Sequence, residues 1–341
     1  MTMQEIARIA GVHKSTVDKV IHNRPGVSEE TRARIRQLLE ENHYQPNRAA
    51  QNLQNRKKVF RIGVILLRVD AEPFLLQGIR EGLKEYEEYH IRVDYHDVTM
   101  LEAERMAELL EQMTEEDYDG VILSPIKALC VNQALMKMRE KKIPLVTVNS
   151  DVDKELRLCC VGQDAIRASQ TAGRLMAECL GGKGKVAVVT SAVAEENNSF
   201  YVKRREKFFV SYLTEHYPKL EIVEMIESFE NAETTRNKTD RMLKTRQELD
   251  GIYITCGGVA DVAEMVEANG RAGKIKVIGY ESYPPNIKYM KEDCVTMVID
   301  SDLPEQGRLS VENLMHYLLY KELPVMSDIF TDIRILVKEM F

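Results

Sequence analysis

The sequence predicts two folds in one chain: an all-α head, followed by an α/β body with two doubly wound parallel-sheet lobes. In the head, apolar residues recur at helical spacing in three short runs, which end at Ala10, Ile21 and Leu39. From Val59 onward, short apolar runs alternate with amphipathic stretches of a dozen or more residues. This alternation is typical of parallel sheets that helices cover on both faces.

The three helical runs of the head are separated by recognisable helix ends. Gly11 leaves only a tight turn between the first two runs. Ser28 precedes Glu29-Glu30 and is a good N-cap for the third, because acids in a first turn interact favourably with the helix dipole. Three short helices with such a turn describe a helix-turn-helix, although other small helical bundles share the pattern.

The net charge of −7 is unevenly distributed over the 341 residues. Residues 1–58 contain 11 basic and 6 acidic side chains, so the remaining residues carry a net charge of −12. A basic head on an acidic body is the asymmetry expected when only the head contacts nucleic acid.

Several classes of protein lack support in this sequence. No apolar run approaches the roughly 18 residues of a membrane helix, and the N-terminus lacks a signal-peptide pattern, so we expect a cytoplasmic protein without membrane contact. The six cysteines form no CxxC pair, which favours buried thiols and predicts no metal and no cofactor. No HExxH or GxSxG motif occurs, so we do not expect an enzyme.

The body contains seven predicted strands, with helices between them, such as 74–89 and a long one after Asp164. The strands are 60–67, 91–95, 120–123, 144–148, 185–190, 251–254 and 276–279. In open parallel sheets, ligands bind at the carboxyl ends of the strands. The candidate ligand-binding residues are therefore those that follow strands: Asp70, Phe74, Ser124, Asn149, Asp151, Ser191, Glu281, Asp300 and Ser301.

Four blocks in the head give a specific resemblance. They are 4–12 (QEIARIAGV), 15–17 (STV), 26–32 (GVSEETR) and 44–50 (YQPNRAA). In order and spacing they resemble the DNA-binding head of the lactose-repressor (LacI/GalR) family.

The resemblance implies that the second helix lies in the major groove of DNA. Lys14, Ser15 and Lys19 would then read bases, while Thr2 and Thr16 would contact backbone phosphates. The alternative for both lysines is a solvated basic face that contacts only phosphate. The chain departs from the family pattern at His13, Asp18 and His22, so the family's usual bases do not carry over.

Residues 46–58 are predicted to be a second DNA-binding element. Pro46 can start a short helix that continues through Asn47 to Leu53. The resemblance implies that this helix, with Asn47 and Ala50, orders on the DNA while Leu53 wedges into the minor groove and bends it. The alternative is that Leu53 packs on the body as an ordinary linker residue.

The body resembles the type I periplasmic sugar-binding-protein fold that this family uses as its sensor. The resemblance depends on Val161-Gly162-Gln163-Asp164, on Arg205 with Phe209, and on Gln306-Gly307. It implies that Phe74 stacks on a sugar ring, that Arg205 donates to hydroxyls, and that a ring of polar side chains completes the site. That ring comprises Asn149, Asp151, Glu281 (usually Asp in the family) and Ser301 (often Gln), with Asp300 as an alternative to Ser301.

Two of these residues could instead have ordinary structural roles. Arg205 follows Lys203 and Arg204 and could be one of three solvated cations, and Phe74 could pack in the cleft without touching a ligand.

Taken together, these features predict a transcription repressor in three parts. Residues 1–45 form the DNA-binding head, 46–58 the hinge helix and linker, and 59–341 the sensor and dimerisation domain. We expect a homodimer that binds a near-palindromic double-stranded DNA operator and a sugar or inositol-like polyol effector. No heptad tail follows the last strand-like run, 333–337, which favours a dimer over a tetramer. The alternatives are a sugar-binding transport protein and an enzyme on a doubly wound fold.

Overall fold

The computed structural model describes residues 2–21, 25–42, 48–191 and 200–341, without the side chains of Ala49, Ala50 and Phe200. The chain divides into two compact units. One comprises residues 1–59, 88–90 and 316–323, and the other comprises 60–87, 91–315 and 324–341.

The first unit contains four helices from the start of the chain. They are α1 (Met3–Ala10), α2 (Lys14–Ile21), α3 (Glu29–Glu41) and α4 (Arg48–Asn55). The predicted caps are present: Gly11 ends α1 in the left-handed conformation with φ of 65°, and the Ser28 hydroxyl accepts from the backbone N–H of Thr31 at the start of α3. Six buried residues form the core of these helices: Ile6, Ala7, Ala10, Val17, Val20 and Ile35.

Helix α4 packs within the first unit against the 316–323 segment. The Asn55 amide donates to the backbone carbonyl of Leu319 at 2.9 Å, and the Tyr320 hydroxyl donates to the Asn52 side-chain oxygen at 3.0 Å. Arg48 forms an ion pair with Glu322 at 3.1 Å. These contacts hold one face of a helix that would be marginal on its own.

The second unit contains two six-stranded sheets. The strands of the first sheet are β1 (Val59–Leu67), β2 (His90–Val98), β3 (Gly120–Leu123), β4 (Leu145–Val148), β5 (Cys159–Gln163) and β11 (Asp328–Thr331). Those of the second are β6 (Gly184–Thr190), β7 (Leu220–Glu227), β8 (Gly251–Ile254), β9 (Lys276–Tyr280), β10 (Met297–Asp300) and β12 (Arg334–Leu336). The helices are α5 (Glu72–Lys84), α6 (Ala103–Glu115), α7 (Leu129–Glu140), α8 (Ala165–Leu180), α9 (Phe200–His216), α10 (Ala232–Thr245), α11 (Val259–Ala268), α12 (Pro284–Lys291) and α13 (Leu303–Tyr320).

Both sheets have the doubly wound strand order. The orders are β11-β5-β4-β3-β1-β2 and β12-β10-β9-β8-β6-β7. In each sheet the order reverses next to the first strand, and this switch point opens a crevice at the carboxyl ends of the strands. The recorded pairings are parallel except β10 with β12, which is antiparallel. The chain passes from β11 in the first sheet to β12 in the second through only two residues.

The structure confirms the fold class and all seven predicted strands, and it has β12 within the strand-like run 333–337. It adds β5, β7, β10 and β11. It also confirms the long helix after Asp164, whose carboxylate accepts from the backbone N–H groups of Ile166 and Arg167 at 3.1 Å. The predicted helix 74–89 was wrong at both ends, because α5 starts at Glu72 and ends at Lys84, where the chain turns toward β2. Among the described residues, no helix is both long and apolar enough to cross a bilayer.

Two glycines bring α5 and α13 into backbone contact. A Cβ on Gly78 would lie 1.8 Å from the Pro304 carbonyl oxygen, and one on Gly307 would lie 2.2 Å from the Leu75 carbonyl oxygen. Only glycine fits such a close approach at both positions. This contact fixes the helix that begins beside Phe74.

Candidate functional site

Helix α2 presents a polar face on the first unit. Lys14, Ser15 and Lys19 are exposed, whereas Val17 and Val20 are buried against the other helices. Thr16 is half-buried. The three residues predicted to read bases therefore lie free of the core, on a helix whose other face is fixed by packing.

His13 caps the start of α2 in an unusual way. The backbone N–H of Ser15 donates to His13 Nδ1 at 3.3 Å, so this nitrogen acts as an acceptor. The Ser15 hydroxyl lies 2.8 Å from the same nitrogen and therefore donates to it. His13 thus caps α2 and accepts a hydrogen bond from the hydroxyl of Ser15.

Thr2 caps α1. Its hydroxyl accepts from the backbone N–H of Glu5 at 3.3 Å, and the Glu5 carboxylate accepts from the backbone N–H of Thr2 at 2.7 Å. These bonds hold the Glu5 carboxylate charged and lower its pKa. The predicted phosphate contact of Thr2 would therefore lie next to an anion.

In α4 the Leu53 side chain is 63% exposed, although α4 packs against the 316–323 segment. Most of the apolar surface of Leu53 is therefore not packed against the protein. Asn47 and the side chain of Ala50, both predicted to contact DNA, lie outside the described part of the chain.

The second unit contains a cavity of about 380 Å³ at the carboxyl ends of both sheets. Of the predicted ligand-binding residues, Phe74, Asn149, Arg205 and Glu281 line it, as do the candidates Asp70 and Ser124. Asn149 and Glu281 have φ of 56° and 68°, which is uncommon for residues with side chains and is concentrated at functional sites.

Arg205 is built into the cavity wall. It is only 9% exposed, and its guanidinium stacks on the Tyr280 ring, with 3.5 Å between the guanidinium carbon and the ring centroid. It donates to the Thr255 carbonyl and to the Gln163 side-chain oxygen, each at 3.3 Å. Its Nε is buried without a partner. Arg205 is therefore not one of three solvated cations.

Glu281 lies beside Arg205 with 4.0 Å between Oε1 and Nη2. Ser301 donates to it twice, from its hydroxyl at 2.7 Å and from its backbone N–H at 3.2 Å. Burial nevertheless raises the pKa of Glu281 to about 7, and the nearby negative charge of Asp300 adds to the effect. The side chain can change charge near neutral pH.

Three predicted ligand-binding residues face other partners instead of the cavity. Asp151 forms a buried ion pair with Arg157, with 2.6 Å between Oδ1 and Nε. Asp300 accepts from the backbone N–H of Ser282 at 3.0 Å and from that of Asp302 at 2.9 Å. Ser301 holds Glu281, as described above. The geometry gives these three residues a role in shaping the loops around the cavity, and their direct contact with a ligand stays a prediction.

The cavity also contains groups that the sequence interpretation missed. Tyr283 stacks on Phe74 with ring centroids 5.0 Å apart, and together they form an aromatic wall. Glu230 follows β7, and Asp261 lies in the first turn of α11. The rule that sites follow strands would have identified Glu230 if β7 had been recognised as a strand.

Comparison with known protein families gives separate matches for the head and the body of the chain. Residues 2–47 match the family described as "Bacterial regulatory proteins, lacI family", and residues 62–322 match "Periplasmic binding protein domain". The second match covers most of the body and includes every residue named in the cavity.

Two curated relatives are repressors by name. The sucrose operon repressor of Staphylococcus xylosus is 28% identical over 205 residues, which are 59% of each chain, so the match spans less than two thirds of that relative. The ribose operon repressor of Lactococcus lactis is 24% identical over 82% of this chain and 80% of its own.

A solved structure shares the fold of the body. It is an ABC transporter solute-binding protein from Burkholderia graminis C4D1M in complex with D-arabinose. It superposes with a TM-score of 0.74 and 20% identity over 82% of this chain and 96% of its own. With both matches in place, this chain belongs over residues 62–322 to the periplasmic binding protein domain family and contains a domain of the lacI family of bacterial regulatory proteins at residues 2–47.

Proposed function

We propose that this protein is a sequence-specific DNA-binding transcription repressor whose operator affinity depends on a small polar effector bound in the cavity of the body. The observation that carries the proposal is the combination, in one chain, of an exposed polar face on α2 and a polar cavity at the switch points of two doubly wound sheets. The names of the sucrose and ribose operon repressors support a sugar or a related polyol as the effector.

For DNA, we propose that Lys14, Ser15 and Lys19 read bases in the major groove, where lysine donates to guanine and serine can donate or accept. Thr2 and Thr16 are proposed phosphate contacts. Residues 46–58, with Asn47, Ala50 and Leu53, are the proposed hinge that enters the minor groove.

For the effector, the aromatic wall of Phe74 and Tyr283 supplies a flat apolar surface for the C–H face of a sugar ring. Asn149, Arg205 and Glu281 supply donors and acceptors around it. A cavity with an apolar wall and a few fixed polar groups is the usual construction of a small-molecule site.

We also propose a homodimer. Leu129 and Met136 are 76% and 55% exposed, and as residues seven apart they lie on one face of α7. Leu101, two residues before α6, is 92% exposed. The two large exposed apolar residues of α7 favour a protein interface, and a two-fold dimer fits a near-palindromic operator.

The test is selection of DNA sites from a random pool by the full-length protein, followed by titration of the selected site with sugars and polyols. We expect one enriched near-palindromic sequence whose affinity changes with one compound of the panel. Binding that scales only with DNA length and salt, without an enriched sequence, would contradict the proposal. Sedimentation of wild type against Leu129→Glu/Met136→Glu tests the dimer, because two charges in the interface should yield monomers.

A further inference from the structure

Acidic side chains outnumber basic ones among the described residues that line the cavity. Four of them are carboxylates, from Asp70, Glu230, Asp261 and Glu281, and among the described lining residues one is a cation, Arg205. A polyol without charge needs no such excess of negative charge. The charges of these side chains therefore indicate which charge the effector carries.

Two of the four carboxylates have cationic partners in the protein. Glu281 lies 4.0 Å from Arg205 and accepts two hydrogen bonds from Ser301. Asp261 forms an ion pair with Arg236, a residue outside the described cavity lining.

Asp70 and Glu230 have no ion-pair partner among residues 2–21, 25–42, 48–191 and 200–341. They come from the two lobes, because Asp70 follows β1 of the first sheet and Glu230 follows β7 of the second. Both residues are exposed, so a ligand can reach their carboxylates. Loss of solvent around Glu230 raises its pKa, the Ser191 hydroxyl opposes this, and the charge of Asp70 raises it further.

The position of Glu230 is fixed by its backbone. Its φ is 51°, and its N–H donates to the Ser228 hydroxyl at 3.1 Å. This uncommon backbone conformation and the like charge of Asp70 from the other lobe both cost free energy in the ligand-free protein. A positively charged ligand can offset that cost.

The same cavity wall contains the guanidinium of Arg205. Arg205 lines the cavity, is nine-tenths buried and is the one cation among the described lining residues. A ligand that suits the whole cavity therefore has a positive group for the two carboxylates and oxygen atoms for the guanidinium.

We propose that the effector carries an ammonium group together with hydroxyl groups, as an amino sugar does, and that the ammonium group binds between Asp70 and Glu230. The inference rests on the proposed sensor function and specifies its ligand class. An ammonium group donates up to three hydrogen bonds and would link the two lobes by charge-assisted contacts.

The test compares sugars that differ only in the group concerned. Full-length protein is titrated by calorimetry at neutral pH with glucose and glucosamine, with galactose and galactosamine, and with the two N-acetylated amines. We expect at least one amine to bind about tenfold or more tightly than both its hydroxyl and its N-acetyl counterpart, since hydrogen bonds to charged groups are stronger than neutral ones. Asp70→Asn and Glu230→Gln should abolish that preference. Glu233→Gln, which changes an exposed acid outside the described lining, should retain it.

Two other outcomes are informative. If the neutral sugars bind as tightly as the amines, or if the preference for amines persists in both cavity variants, the inference is overturned and the sugar-sensor proposal stands. If neither series binds, the sugar effector of the proposed function is contradicted, and the inference is overturned with it.

Discussion

Glu281 and Ser301 form a closed pair at the ends of the neighbouring strands β9 and β10: the Ser301 hydroxyl and backbone N–H donate to the two carboxylate oxygens at 2.7 and 3.2 Å. Both residues depart from the pattern of the family that the chain resembles, where the acid is usually Asp and the partner is often Gln. The long side chain of Glu281 reaches the short side chain of Ser301. The pair holds the carboxylate beside Arg205.

The first prediction concerns this pair. Ser301→Ala removes the hydroxyl donor from a buried carboxylate, and we expect the free energy of unfolding to fall by about 1–3 kcal/mol. Chemical denaturation of the purified protein measures the change. Ser211→Ala is the matched control, because that exposed hydroxyl donates only to a carbonyl in its own helix and its loss should change stability little. Equal stabilities of the two variants would mean that Ser301 does not support Glu281.

The second prediction is a pH dependence of stability that comes from Glu281. Burial raises the pKa of Glu281 from 4.5 to about 7, so the folded protein binds this proton more tightly than the unfolded chain does. The resulting stability is fully present below about pH 4.5 and is lost as pH rises to about 7, up to about 3 kcal/mol in total.

Glu281→Gln should remove that loss, because its side chain cannot ionise. Thermal unfolding of the ligand-free protein across this pH range measures the difference between wild type and variant. Glu233→Gln, in which the replaced acid is exposed, should follow the wild-type profile. Parallel profiles for Glu281→Gln and wild type would show that the buried carboxylate keeps its ordinary pKa.

The third prediction tests the contact between α5 and α13. Gly78→Ala would place a methyl group 1.8 Å from the Pro304 carbonyl oxygen, and backbone cannot yield as a flexible side chain can. We expect a loss of about 1–3 kcal/mol of stability, as for overpacked cores. We also expect weaker effector binding, because α5 carries Phe74.

The matched control for this substitution is Gln77→Ala, on the exposed face of the same helix. It should leave both quantities near the wild-type values. If Gly78→Ala proved as stable as Gln77→Ala, the close approach of the two helices would not exist in solution.

Most of the strands that the sequence predicts are buried and form continuous apolar runs. β8, for example, is buried along all four of its residues. β2 is an exception, because it is an edge strand whose apolar residues alternate with polar ones. β7 lies at the edge of its sheet and was missed because Glu221, Glu224 and Glu227 interrupt its apolar residues at every third position. β11 and β12 are short edge strands whose partners are distant in sequence.

The sequence predicted the location of the candidate site but only some of the side chains that line it. The end of a strand locates a backbone position but not the direction of its side chain. Asp151 and Asn149 both follow β4, yet Asn149 lines the cavity while Asp151 pairs with Arg157. Arg157 in turn contacts Asp328, which lies 171 residues away along the chain. No local pattern reveals such a partner, so the sequence alone cannot separate the two residues.

The last prediction concerns the proposed wedge in α4. Leu53 is 63% exposed, so Leu53→Ala should leave the stability of the protein nearly unchanged. If Leu53 enters the minor groove, the same substitution should weaken binding to the selected operator far more than binding to random DNA, because only the specific complex benefits from the bend that the wedge makes.

Fluorescence anisotropy at one fixed salt concentration measures both affinities. Gln54→Ala is the matched control, since it changes the next exposed residue of the same helix without removing an apolar wedge. Lys57→Ala provides a contrasting result: loss of a cation near phosphates should weaken operator and random DNA by similar factors and should reduce the salt dependence of both. If Leu53→Ala behaved like Lys57→Ala, with equal losses on both DNAs, Leu53 would contribute no specificity and the wedge would be wrong.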